Sequence, residues 1–253
     1  MRSAFSENAW PAIRVALQSG KPVIAILPCG ATEAHGPHLP LNTDVIISER
    51  MAIHALPALA DRGYLAAVLP PLAYMPAGYA EAFAGTLTVS AASARALLLD
   101  IARSLKAQGF ACIALANSHF DPVNVAMLRE AAKEIRALGL PVAFPDFTRR
   151  ALAQTLTAEF QSGACHAGQY ETSLVMVARP DLVNEVERRR LPGNPASLTA
   201  AFAAGARTFE EAGGPNAYFG DPQNASATEG AESLRIMAAA LVAATEDALS
   251  AGN

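Results

Sequence analysis

Between Glu33 and Asp44 the chain carries two carboxylates and two imidazoles within twelve residues: Glu33, His35, His38 and Asp44, in a segment stiffened by Pro37 and Pro40. Carboxylate and imidazole are the usual ligands of Zn²⁺ or Mn²⁺. The prolines lower the ordering cost of drawing such side chains to one point. Two further pairs follow, His119 with Asp121 and His166 with Glu171. Of the five histidines, only His54 lies outside these three segments, a clustering that points to a metal site. Three carboxylates and two histidines can hold two divalent ions if one carboxylate bridges. Two such ions lower the pKa of a shared water and polarise a carbonyl. A free imidazole or carboxylate beside them can carry a proton to a leaving nitrogen. The chemistry expected is hydrolysis of an amide-like C–N bond in a small molecule.

The elements that must position these groups are legible from apolar runs. Val23–Leu27, Ala66–Leu69, Phe110–Leu115 and Pro141–Phe144 read as strands, the continuous runs as strands buried on both faces. Between them, helices are expected over Asp44–Ala60, with Asn42 or Thr43 as cap, over Ala91–Gln108 with a stripe of Leu97, Ile101 and Leu105, and from Pro122 to Ala137. Gly168–Ala178 fits helix or strand, and Ala227–Ser250 fits an amphipathic helix. Strands alternating with helices imply right-handed βαβ units. The fold class expected is α/β: one domain over residues 1–253, a layered sandwich with a mostly parallel central sheet flanked by helices. In such sheets ligands bind beyond the carboxyl ends of strands, where both the Glu33–Asp44 and the His119–Asp121 loops begin.

Composition narrows the function. Of 253 residues 52% are hydrophobic and 17% charged, enough apolar mass for a full core and unlike a disordered chain. The net charge of −4 and the absence of a Lys/Arg block argue against nucleic acid as a partner. Arg188-Arg189-Arg190, beside Glu185 and Glu187, reads as a solvated helix end or loop. No apolar run reaches the ~18–20 residues of a membrane span, and the N-terminus lacks the apolar core of a signal peptide. Three scattered cysteines, Cys29, Cys112 and Cys165, suggest a reducing compartment. A cytoplasmic location is expected.

The segment Leu27-Pro28-Cys29-Gly30-Ala31-Thr32-Glu33-Ala34-His35-Gly36-Pro37-His38-Leu39-Pro40-Leu41-Asn42-Thr43-Asp44 strongly resembles the signature of the creatininase (creatinine amidohydrolase) family. Asn117-Ser118-His119 and His166-Ala167-Gly168 through Glu171-Thr172-Ser173 resemble its second and third motifs, and Ala84-Gly85-Thr86 and Gly220-Asp221-Pro222 to Gly230 extend the likeness weakly. The resemblance implies a two-metal hydrolase with one or two Zn²⁺ or Mn²⁺ per subunit, assembled as a homo-oligomer, a hexamer built from dimers. Carried over by position, Glu33, Asp44 and His119 match the ligands of one metal, and His35, Asp44 and Asp121 those of the other, with Asp44 bridging. His166 matches the family's catalytic proton carrier. Glu171 matches a carboxylate that either orients His166 or touches metal or substrate. Two departures stand out. The second motif usually ends in Gly-Gly or in an aromatic and Glu, whereas here Asp121 is one methylene shorter, so its metal must sit closer or be held more weakly. Creatininase itself surrounds its flat substrate with tryptophan, and the one tryptophan here, Trp10, is far from every motif. Creatinine itself is therefore not the expected substrate.

The remaining polar residues have plainer readings. His38 is expected to hydrogen-bond within its Pro-rich turn or face the substrate, His54 to be a partly buried structural histidine, and Ser118 to serve the backbone turn. Cys29 and Cys165 read as small buried thiols rather than nucleophiles. Tyr74, Tyr79 and Glu81 are candidates to line the pocket, and Asp221 and Glu229 are expected as capping and surface groups. Two other functions use the same residues: metal-dependent ring opening or isomerisation of a cyclic ketone in polyol metabolism, and a catalytically silent metal-binding scaffold.

Overall fold

The computed structural model describes residues 1–164 and 166–251. Four parallel strands form the sheet, in the order β2-β1-β3-β4: β1 (Val23–Cys29), β2 (Leu65–Val68), β3 (Cys112–Asn117) and β4 (Val142–Ala143). Ile26 sits opposite Val68 on one side and Ala114 on the other, so β1 is central. Its continuous apolar run follows from that place. Ile24 and Ile26 enter one core, and Val23, Ala25 and Leu27 enter the other, because successive strand side chains point to opposite faces.

The first core is closed by helices α2 (Thr43–Asp61), α7 (Gln169–Ala178) and α10 (Ala227–Ser250). The second is closed by α1 (Trp10–Leu17), α3 (Ala91–Gln108) and α4 (Pro122–Ala137). Short helices α5 (Arg150–Ala153), α6 (Ala158–Ser162), α8 (Glu185–Arg188) and α9 (Leu198–Ala203) fill the long stretch after β4. A small third cluster, including Leu198, Phe209 and Phe219, builds a cover over the sheet's carboxyl edge. No helix among the described residues is long and apolar enough to cross a membrane.

Three local expectations are corrected. On α3 the buried face is Ala94, Leu98, Ala102 and Leu105, while Leu97 is exposed. Two alanines on the inner face let the helix lie close to the sheet, and the larger Leu97 is left outside. His54 is exposed on α2 rather than partly buried. Arg188 is buried. Its guanidinium binds the Glu185 carboxylate and donates to the carbonyls of Pro222 and Gln223, whereas Arg189 and Arg190 are solvated. Segment 168–178, left open between helix and strand, is helix α7. Asn42 occupies the cap position of α2 without a side-chain cap bond, and Thr43 instead donates its hydroxyl to the Pro40 carbonyl.

Candidate metal centre and active site

Strand β1 delivers the first set of groups. Its end, Cys29-Gly30, meets the start of α2 so closely that a Cβ on Gly30 would lie 2.6 Å from the Val45 nitrogen and 2.9 Å from Asp44 Cβ. Because backbone cannot yield as a flexible side chain can, Gly30→Ala is expected to displace Asp44 and to cost about 1–3 kcal/mol. Thermal melting together with metal content measures it; unchanged values of both would contradict this reading.

Ser118, just past β3, locks its loop onto the start of α2. Its hydroxyl donates to the Asp44 carbonyl at 2.7 Å, and its N–H donates to Ser48 Oγ at 3.1 Å. The role is a tie between the loop after β3 and helix α2 rather than a bond within one turn. Asn117 and Asn124 both donate to the His119 carbonyl, which fixes the backbone that carries the next imidazole.

Each of three histidines has its outer nitrogen anchored to a backbone carbonyl. His35 Nδ1 faces the Glu33 carbonyl at 3.1 Å, His119 Nε2 the Pro76 carbonyl at 2.6 Å, and His166 Nε2 the Ala34 carbonyl at 2.9 Å. A carbonyl can only accept, so these nitrogens carry the hydrogen, and the opposite nitrogen of each ring is turned to the centre. Such anchoring is how metal-binding imidazoles are usually oriented.

Asp44 lies between two of these rings. Its Oδ1 is 3.2 Å from His35 Nε2, and its Oδ2 is 3.0 Å from His119 Nδ1. Glu33 Oε1 is 3.2 Å from His119 Nδ1, and Glu171 Oε2 is 3.6 Å from His35 Nε2. Three groups of residues, Glu33/Asp44/His119, His35/Asp44/Glu171 and Glu33/His35/His166, each offer ligand atoms within 4.8 Å of one another, and all are buried.

The electrostatics follow from three carboxylates in a dry space. Burial pushes Glu33 above its ordinary range, and it pushes Glu171 up to about 8. Asp44 is held low: burial opposes this, but His35 and His119 outweigh it. Burial would likewise lower His35 and His119, yet the carboxylates win, raising His35 to about 10 and His119 well above the ordinary imidazole value. The cluster demands cationic compensation, whether protons on the imidazoles or divalent ions. His35 Nε2 has no hydrogen-bond partner although fully buried. Once its proton is displaced, this nitrogen, 3.2 Å from Asp44 Oδ1 and 3.6 Å from Glu171 Oε2, suits a divalent cation. His166 differs. Burial, and then the neighbouring His35 charge, keep it well below the ordinary value. Its ring lies between His35 and Phe209, with both centroids 4.3 Å away.

Of the residues singled out in the sequence, Glu33, His35, Asp44, His119, His166 and Glu171 converge. Asp121 comes to the same cavity but belongs to none of the three close groups. Its Oδ1 accepts from the N–H groups of Val123, at 2.7 Å, and Asn124, at 3.3 Å, as the cap of α4, and its Oδ2 is buried without a partner. His38 binds Thr172 Oγ1 at 2.9 Å across to α7, and burial, aided by the charges of His35 and Arg188, lowers it to about 4. Burial pushes the Cys29 thiol up to about 12, which makes it a poor nucleophile. Cys165 lies outside the described residues. Tyr79 lines the cavity, whereas Tyr74 and Glu81 are exposed. Asp221 accepts from Asn224, and Glu229, in the first turn of α10, accepts from Gln169.

Two contributions have no signal in the sequence. Glu159 accepts the Tyr170 N–H at 2.8 Å and the Asp221 N–H at 2.7 Å, so a carboxylate from α6 caps the helix that carries Glu171. Gly168 permits this contact, because a Cβ there would collide with the Phe219 carbonyl and the Glu159 carboxylate. The cavity, about 440 Å³, extends from the buried carboxylates past a wall of phenylalanines, among them Phe120, Phe160, Phe202 and Phe209.

Known proteins with this arrangement are recognisable. The family model described as creatinine amidohydrolase matches residues 6–245. The chain is 31% identical over 233 residues to a mycofactocin precursor peptide peptidase of Mycobacterium ulcerans, covering 88% of this chain and 80% of that protein. Two solved structures, a manganese creatininase and a mutant creatininase of Zn-Zn type, share the fold at TM-score 0.74 with 24% identity, each over 98% of both chains. With the family model spanning nearly the whole chain and the motif carboxylates and imidazoles gathered at the strand ends, this protein belongs to the creatininase family.

Proposed function

We propose that the protein is a metal-dependent hydrolase of an amide-like C–N bond, in which Asp44 would be shared by two ligand sets for divalent ions. Asp44 carries this reading, because each of its oxygens faces a different imidazole nitrogen, one on His35 and one on His119, and both rings are anchored from behind. Glu33 and His119 would complete one ligand set with it, and His35 and Glu171 the other. Asp121 is assigned the cap of α4 in place of the second set. Manganese and zinc, found in the two structural relatives, both suit a site of carboxylates and imidazoles.

Divalent ions held by these residues would supply the acidified water and the polarisation of the amide carbonyl. The protein's own groups do the rest. His166, neutral and with its Nε2 hydrogen given to Ala34, has Nδ1 available to take a proton and pass it to the leaving nitrogen. Water adds to the carbonyl carbon, the C–N bond breaks, and the amine leaves with that proton. The phenylalanine wall keeps bulk water away.

Among the substrates named for relatives, a peptide suits this chain better than creatinine. The only tryptophan, Trp10, is 68% exposed on α1 and does not line the cavity. The expected result is amide hydrolysis of short capped peptides that is lost on chelation and restored by Zn²⁺ or Mn²⁺, with creatinine and keto-cyclitols unchanged. Turnover that survives complete removal of metal, or protein that binds no metal after reconstitution, would overturn the proposal. A reducing, cytoplasmic location and a hexameric assembly belong to the same reading. The buried free thiols of Cys29 and Cys112 support the first, and light scattering tests the second.

A further inference from the structure

The cavity has a chemical gradient along α4. Asp121, Val125 and Arg129 line it at intervals of four residues, which places them on one face of the helix. At ~1.5 Å per residue, Arg129 lies about 12 Å along the axis from Asp121. The carboxylates and imidazoles therefore occupy one end and a guanidinium the other, and Phe120 and Phe160 line the same cavity, their rings 5.4 Å apart and edge to face.

Arg129 is the only Lys or Arg among the described residues lining the cavity. Asp146 Oδ2 takes both Nε, at 2.8 Å, and Nη2, at 2.7 Å, and Nη2 also donates to Thr148 Oγ1 at 2.8 Å. Asp146 is shared with Arg149, at 3.2 Å, so one carboxylate faces two guanidiniums and the group keeps a net positive charge. Among the described residues nothing receives a hydrogen bond from Arg129 Nη1. Thr148, Gln161 and Thr199 add polar groups to the same cavity. With its Nε–Nη2 edge held by Asp146, the guanidinium is fixed in place and offers Nη1 as a charged donor to a carboxylate, beside a polar wall.

We propose that the cavity selects substrates bearing a planar apolar group that packs on the phenylalanines and, beyond it, a carboxylate received by Arg129. The inference rests on the hydrolase reading only for the bond that is cut; recognition of the apolar carboxylate stands apart from turnover. The class implied is an amide or peptide with an aromatic side group and a free terminal acid.

The probe pair is 4-phenylbutanoate and 4-phenylbutanamide, titrated calorimetrically into the full chain both metal-loaded and chelated. The acid is expected to bind at least about tenfold more tightly than the amide, the scale of a charge-assisted hydrogen bond, in both preparations. Arg129→Gln should reduce the acid to the level of the amide and leave the amide unchanged, which also reports an intact cavity. Arg129→Lys should keep part of the preference. Equal affinities in the wild type, a preference that survives Arg129→Gln, a preference lost on chelation alone, or binding of neither probe up to millimolar concentration would overturn the proposal. If Arg129→Gln weakened the amide as well, the lysine variant would decide, and loss of its preference would count against it. Failure of the hydrolase reading would appear instead as absent turnover with this binding pattern intact.

Discussion

Asp44→Asn is expected to remove both metal ions and to lower amide hydrolysis by at least about 10³-fold, because Asp44 belongs to two of the residue groups that could hold an ion and would serve both proposed ligand sets. The neutral amide keeps the shape of Asp44, so secondary structure should be preserved while metal content falls toward zero. A pH dependence accompanies this. In the chelated protein, His35 is raised to about 10, first against burial and then by Asp44. A histidine with a raised folded-state pKa contributes stability that is fully present below the free imidazole value of ~6.5. That contribution is lost as pH rises through about 10. The chelated wild type should therefore lose stability between those values, and Asp44→Asn should flatten the slope. Metal affinity runs the other way, rising with pH as the imidazole protons leave. Melting temperatures across pH, with and without chelator, check both signs. An Asp44→Asn protein retaining two metal equivalents would contradict the bridging role.

Glu171→Gln and Asp121→Ala should separate two carboxylates that the sequence does not rank. Glu171→Gln is expected to leave one metal equivalent of two and to lower activity about 10–10³-fold. It should change folding little, because the amide oxygen can still accept from the Ala167 N–H now held at 2.7 Å. Asp121→Ala is expected to keep both metals and to cost about 1 kcal/mol of stability, the worth of a helix cap. Metal analysis and denaturant titration of the two variants give opposite patterns. Loss of a metal with Asp121→Ala and not with Glu171→Gln would reverse the assignment.

The difference between these two residues shows what a sequence conveys here. His119-Phe120-Asp121 spaces an imidazole and a carboxylate as a ligand pair would, yet Asp121 also precedes Pro122, the first residue of α4, where a carboxylate caps the helix. Both patterns are visible in the sequence, and only the coordinates show Oδ1 committed to Val123 and Asn124. The long elements were legible because their patterns repeat. β1 is a continuous apolar run, α3 runs from a Ser90 cap to Gly109, and α10 spans the amphipathic stretch. The cavity wall was not, because α5, α6 and α9 have six residues or fewer, too short for a 3.6-residue period to show. Glu159 was equally hidden, since a carboxylate capping a helix from another segment leaves no local pattern.

The most direct test of the central claim is a crystal structure of the metal-loaded protein with anomalous diffraction recorded at the zinc and manganese edges. The account predicts two peaks, one among Glu33, Asp44 Oδ2 and His119 Nδ1, the other among Asp44 Oδ1, His35 Nε2 and Glu171. No peak at Asp44, or a second peak bound by Asp121 with Glu171 turned away, would contradict it.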